Sequence, residues 1–138
     1  MILELEKIGL SYDSLTENQK AYFLKYIWNG VGSRHFFINP HDLIFKEASV
    51  YHDFYYWRGG PLTLKKLADK DFLHRCHHSV RQQPRYKQIL FYYPIAGIYY
   101  FFLKFGKKAW EKRVTPCKTW EELLEQFYTK NKNSPKYG

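Results

Sequence analysis

Between Ile89 and Leu103 the chain runs for 15 residues without a charge, ILFYYPIAGIYYFFL. A membrane-spanning helix needs about 20 apolar residues, and Pro94 and Gly97 interrupt this run. The segment therefore belongs in a core or at an interface, and no transmembrane helix is expected. The chain around it is basic: 22 Lys and Arg stand against 13 Asp and Glu, giving a net charge of +9 and a pI near 9.5. Residues 74–87 sum to +4 with no acid and residues 104–113 to +4, whereas residues 1–20 sum to −2. Positive charge thus gathers on both sides of the apolar run. Such a balance favours anionic partners, either an acidic lipid surface or nucleic acid.

A chain of 138 residues is the size of one domain and can bury a core without metal or disulfide staples. Aromatics make up 20% of it, which excludes a disordered chain. Two cysteines, Cys76 and Cys117, are too few for a secreted disulfide framework and form one bridge or none. Glu4, Glu6 and Asp13 break up the N-terminus, which does not read as a signal peptide. The expectation is a soluble protein, cytoplasmic or delivered by a non-classical route, and peripheral at membranes. Residues 1–130 form a single helical domain, and the polar segment 131–138 is expected to be a flexible tail.

Helical signals dominate. Ser14 and Glu17 have capping-box spacing ahead of Leu15, Tyr22, Leu24, Tyr26 and Ile27, which predicts a helix over 15–28. Asn29, Gly30 and Gly32 then end it, and residues 31–40 read as loop. Asp42 is placed to cap a second helix through about Trp57, and Gly59-Gly60-Pro61 turns the chain into a third from Leu62 to about His78. So short a connection makes these two antiparallel neighbours. Thr119 and Glu122 repeat the capping spacing before a last helix. No segment alternates like a strand, so the fold class is mainly α, an antiparallel helix pair with flanking helices.

Three groups of residues carry chemical potential. His52 and Tyr56 share one helix face, with Asp53 about 100° round from His52. A histidine and a carboxylate side by side in an apolar helix are costly unless each has its own partner, although alone the pair fits a solvated helix edge. Gly30-Val31-Gly32 is neither a dinucleotide fingerprint nor a P-loop. Such a loop can aim carbonyls at a hard cation or simply end a helix. Asp69 lies about 11 Å along the third helix and His52 about 7 Å back along the second, counted from the turn. The two are thus placed to meet, and an Asp on a His ring nitrogen fixes the tautomer for base catalysis. Asp71 is the rival partner.

Taken together, WNGVGS, then HDFYY 22 residues after Gly30, then LADKDF resemble the phospholipase A2 superfamily. The match is to the disulfide-free type seen in parvovirus capsids and some bacterial proteins, and it covers about 45 of 138 residues. The resemblance implies a phospholipase A2-like helix pair and Ca2+ held by the carbonyls of Trp28, Gly30 and Gly32 and the carboxylate of Asp53. His52 is then the general base, Asp69 its orienting partner and Tyr56 a support for both. The implied reaction is hydrolysis of the sn-2 ester of glycerophospholipids. Ala48 and Ser49 stand near where the animal enzymes carry paired cysteines, and the interval from His52 to Asp69 leaves no room for their β-hairpin.

The segment 95–113 sets Ile98, Tyr99, Phe102 and Phe105 near Lys104, Lys107, Lys108, Trp110, Lys112 and Arg113. Aromatics beside lysines suit the headgroup region of a phospholipid surface, anionic by preference. The same set is able to stack and clamp single-stranded nucleic acid, which is the second choice of partner. His74 and His78 have zinc-ligand spacing but no evident third ligand, and Cys76 beside them lacks any named orienting group. Two rival functions remain. One is an HD-type metal phosphohydrolase using His52 and Asp53 as transition-metal ligands. The other is a non-catalytic module binding membranes or nucleic acid.

Overall fold

The computed structural model describes residues 2–28 and 44–138. Among these the protein is mainly α, with helices α1 (Ile2–Ile8), α2 (Glu17–Tyr22), α3 (Lys46–Arg58), α4 (Leu62–Arg81), α5 (Tyr93–Leu103) and α6 (Trp120–Lys130). A π-helical turn at Phe23–Ile27 extends α2, and another at Gln88–Tyr92 leads into α5. The described residues contain no strand, and one isolated bridge pairs Gly60 with Lys112. None of their helices is long and apolar enough to cross a membrane.

The antiparallel α3–α4 pair is the centre of the molecule. α3 is buried nearly all round, through Ala48, Val50, Phe54, Tyr55 and Tyr56 together with the polar Ser49, His52 and Arg58. Two clusters of buried side chains flank the pair. One gathers Leu5, Phe23, Phe54, Trp110, Trp120 and Leu123, and the other Phe45, Phe72, Cys76, Val80, Tyr92 and Tyr99. The two cysteines are free thiols in different clusters.

The turn between α3 and α4 is set by glycine and by a crossing segment. Gly59 has φ 71° and ψ −159°, a conformation that costs any residue with a Cβ. A Cβ there would also stand 2.2 Å from the carbonyl oxygen of Glu111. Residues 110–117 cross this corner as a strap. Gly60 donates to Glu111 at 3.1 Å, Arg113 to Gly60 at 3.0 Å and Cys117 to Arg58 at 3.0 Å, while the Trp110 indole donates to Gly60 at 2.9 Å.

Several boundaries differ from the sequence expectation. The capping box before α2 is Thr16 with Gln19, not Ser14 with Glu17. Ser14 sits in a 3-10 turn at Tyr12–Ser14 with its hydroxyl on the carbonyl of Ser11, and Leu15 is extended, so the helix starts two residues later than predicted. Asp42 and the expected loop 31–40 lie outside the described residues. Thr119 does cap the last helix, accepting from the Glu122 amide at 3.2 Å. Residues 131–138, expected to be a flexible tail, lie against the domain. Tyr137 packs edge-on to Tyr22 and Trp120, both at 5.4 Å, and its amide donates to the Tyr128 hydroxyl at 2.7 Å.

Around α5 the apolar surface is not fully covered. Tyr92, Ala96 and Tyr99 face inward, whereas Ile89, Leu90, Phe91, Ile98, Phe101, Phe102 and Phe105 are exposed.

Two glycines give opposite expectations. Gly59→Ala will destabilise the protein by about 3 kcal/mol, because both its backbone and the Glu111 carbonyl must move. Gly97→Ala, with nothing within 4 Å of the added carbon, will stabilise α5 by roughly 0.5–1 kcal/mol. Thermal unfolding followed by circular dichroism measures both.

Candidate active site

The buried carboxylate of Asp69 gathers His52, Tyr56 and Lys65 around it in the helix pair. Asp69 projects from α4, and its Oδ1 accepts from His52 Nε2 at 2.8 Å and from the Tyr56 hydroxyl at 2.6 Å. Its Oδ2 accepts from Lys65 Nζ at 2.8 Å. Lys65 Nζ also donates to the carbonyl of Leu103, at the end of α5, at 2.8 Å. All four side chains are buried. The spacing explains the convergence. His52 and Tyr56 are four residues apart on one face of α3, and Lys65 and Asp69 four apart on the facing side of α4.

Packing fixes the imidazole. The His52 ring lies 4.2 Å from the Tyr56 ring and 5.1 Å from Phe72, while Tyr56 meets Trp110 edge-on at 5.1 Å. Burial alone would push the Asp69 carboxyl up. The hydrogen bond and charge of His52, then Lys65 and Tyr56, outweigh it and hold that carboxyl below its ordinary range. Burial and the charge of Asp69 push the Tyr56 phenol well above its usual value, so Tyr56 stays protonated and donates to Asp69. An ionised Asp69 accepts and cannot donate. The proton shared with Asp69 therefore belongs to His52 Nε2, and in the neutral form of the ring the lone pair is on Nδ1.

Asp69, rather than Asp71, is the partner of His52. Asp71 instead accepts from Arg75 Nε at 2.9 Å, and the Arg75 guanidinium lies 3.6 Å from the centre of the Tyr51 ring. Asp53 follows His52 on α3 and is half-buried. Trp28, at the end of the π-helical turn after α2, donates its indole N–H to Ser49 Oγ at 3.0 Å, with Lys46 over its ring. Ser49 is one turn before His52 and Asp53, so the chain leaves Trp28 next to the helix that carries both. Gly30 and Gly32 lie outside the described residues. Of the residues expected to hold a metal, only Asp53 and Trp28 are among the described residues. Their expected donors, a carboxylate and a backbone carbonyl, are oxygens that suit a hard cation.

The other candidates are not assembled into sites. His74 and His78 are exposed, and among the described residues no group of three His, Cys, Asp or Glu is placed to hold a metal. Cys76 is fully buried, and burial followed by the charge of Asp71 pushes its thiol up, which disfavours a thiolate nucleophile. Lys65 was not anticipated from the sequence, although its four-residue spacing from Asp69 is the signal that would have found it. No family model matches the chain, and no curated protein and no solved structure matches it either.

The depressed Asp69 carboxyl has a definite pH signature. A carboxyl lowered on folding stabilises the protein above its unfolded value, about 3.9, and that contribution is lost as pH falls through the folded value. Asp69→Asn will therefore cost about 3 kcal/mol at pH 7, since Lys65 loses its counter-charge. The gap between the variant and the parent will shrink below about pH 4. Urea unfolding at pH 7 and pH 3 checks this, and equal gaps at the two values would contradict it.

Proposed function

We propose that the protein is a calcium-dependent, phospholipase A2-like hydrolase cleaving the sn-2 ester of glycerophospholipids at a membrane surface. The observation that carries this reading is the buried His52–Asp69 pair, with Tyr56 on the same carboxylate oxygen. That arrangement orients the imidazole and selects one tautomer for its neutral form, as a general base requires. His52 Nδ1 would take a proton from the attacking water. Asp69, through Nε2, would stabilise the imidazolium that forms, and Tyr56 would hold Asp69 in place. Asp53 and the carbonyls of Trp28, Gly30 and Gly32 would hold Ca2+, which when bound supplies charge stabilisation for the ester oxyanion. The substrate would be met by peripheral association with lipid, with anionic lipid preferred.

The residue order supports this reading over an HD-type phosphohydrolase. That chemistry gives the glycine loop after Trp28 no role. A non-catalytic module on the same scaffold keeps the fold but leaves a buried His-Asp-Tyr-Lys set with no task beyond structure. An interior of that kind costs several kcal/mol per ion in desolvation.

The test is fatty-acid release from mixed anionic vesicles in millimolar calcium, then with chelator. Release is expected to need calcium, to fall roughly 10²–10⁴-fold in His52→Ala and to lose its calcium dependence in Asp53→Asn. Release unchanged by both the chelator and His52→Ala would defeat the proposal. Absence of release from the unmodified protein would favour the binding-module reading.

A further inference from the structure

The exposed side of α5 is chemically out of place in contact with water alone. A helix that is apolar all round belongs in a core or in lipid, and α5 carries no charged residue from Tyr93 to Leu103. Its inner residues Ala96 and Tyr99, with Tyr92 just before it, pack in one buried cluster with Phe45, Phe72 and Val80. Its outer residues Ile98, Phe101 and Phe102, with Phe105 in the turn that follows, recur at three- and four-residue intervals. Ile98 is 50% exposed, Phe101 54% and Phe105 71%, and Ile89 and Leu90, in the π-helical turn before α5, are exposed at 58% and 65%. The Phe101 ring packs edge-on to Phe102 and Phe105 at 5.7 and 5.6 Å. These contacts build a cluster, not a scatter of single exposed side chains.

Charge identifies the occupant. From Phe72 to Trp110 the chain has no Asp or Glu and seven Lys or Arg. Exposed Arg85 stands before the apolar surface, and exposed Lys104, Lys107 and Lys108 follow it. The apolar side chains thus lie between two basic ends, the arrangement by which an interfacial helix buries side chains at the acyl boundary while its cations meet headgroups. Aliphatic Ile89, Leu90 and Ile98 gain from acyl chains and offer nothing to a stacked base, so lipid fits better than single-stranded nucleic acid.

We infer that residues 89–105 form the docking face for an anionic phospholipid bilayer, with α5 lying in the plane of the interface. The inference rests on the hydrolase reading only in connecting this face to that site. The connection is physical: the last turn of α5 is tied by its Leu103 carbonyl to Lys65 Nζ, and the same ammonium holds Asp69. Docking α5 would therefore hold the buried His52–Asp69 network at a fixed distance from the lipid.

Flotation of the full chain with phosphatidylcholine vesicles, with and without phosphatidylglycerol, tests this without any turnover. Binding is expected to be at least about tenfold stronger with the anionic lipid and to weaken with salt. The double variant Phe101→Ser/Phe105→Ser is expected to lose at least about tenfold, and Lys104→Glu/Lys108→Glu to lose the preference for anionic lipid. Circular dichroism verifies folding, and Leu90→Ser/Ile98→Ser serves as a second apolar variant if the first does not fold. Undiminished flotation of the folded apolar variants would overturn the inference. So would a dimer in lipid-free sedimentation that those variants dissociate, or tighter binding to single-stranded oligonucleotide than to vesicles. Flotation as expected with no fatty-acid release would sink the hydrolase reading and leave the docking face standing.

Discussion

The buried side chains of His52, Tyr56 and Lys65 all answer to the Asp69 carboxylate. Taking a carboxylate and an ammonium out of water costs several kcal/mol per ion. The structure offsets that cost by giving both carboxylate oxygens charged or strongly polarised donors, His52 and Tyr56 on one and Lys65 on the other. The donors come from both helices of the central pair, so their register is fixed chemically as well as by shape. A slide of one turn along either helix would leave a buried charge without its partner. That penalty is larger than the loss of a few apolar contacts, which makes the network a determinant of register and not merely a tenant of the interface.

Much of this was legible from spacing. The Gly59-Gly60-Pro61 turn implies adjacent antiparallel helices, and counting outward from it brings Asp69 to His52, as the structure does. Choosing between Asp69 and Asp71 was beyond spacing, because two residues on a helix point about 200° apart and the sequence does not say which side faces α3. The partner of Asp71, Arg75, four residues on, is the feature that separates them. The helical state of the aromatic run was also hidden. Residues 89–103 are apolar on both the inward and the outward side, so no 3.6-residue pattern emerges, and Pro94 stands where the π-helical turn passes into α5. The docking of the tail depends on Tyr137 meeting Tyr22 and Trp120, and a polar composition conceals so small a set of ring contacts.

A second buried ion plays the complementary part at the far end of α3. Arg58 is fully buried, its guanidinium donates to the carbonyls of Leu5 and Leu10, and it lies over the Tyr55 ring at 4.9 Å. Burial lowers its affinity for the proton, yet an arginine stays charged at any pH the fold survives. Its own carbonyl receives the amide of Cys117, whose carbonyl in turn accepts from Leu10. The N-terminal segment and the 110–117 strap are thus joined at the same residue. The helix pair is held at the turn by backbone hydrogen bonds and this cation, and farther along by the Asp69 network.

That division of labour explains why the proposed site sits where it does. At the turn, Gly59 and Gly60 bring the strap close enough for Trp110 to bond Gly60 and to pack its ring against Tyr56. Tyr56 is therefore pinned from one side by the strap and from the other by Asp69. Lys65 is pinned likewise, between Asp69 and the end of α5. His52 stands one turn farther from the rigid corner, with one ring nitrogen committed and its faces confined by Tyr56 and Phe72. A base needs just this combination, since an imidazole free to rotate would lose its tautomer and its aim, and one bonded at both nitrogens would have no lone pair to offer. The strap, the turn and α5 act on His52 at one remove, by making its neighbours immovable.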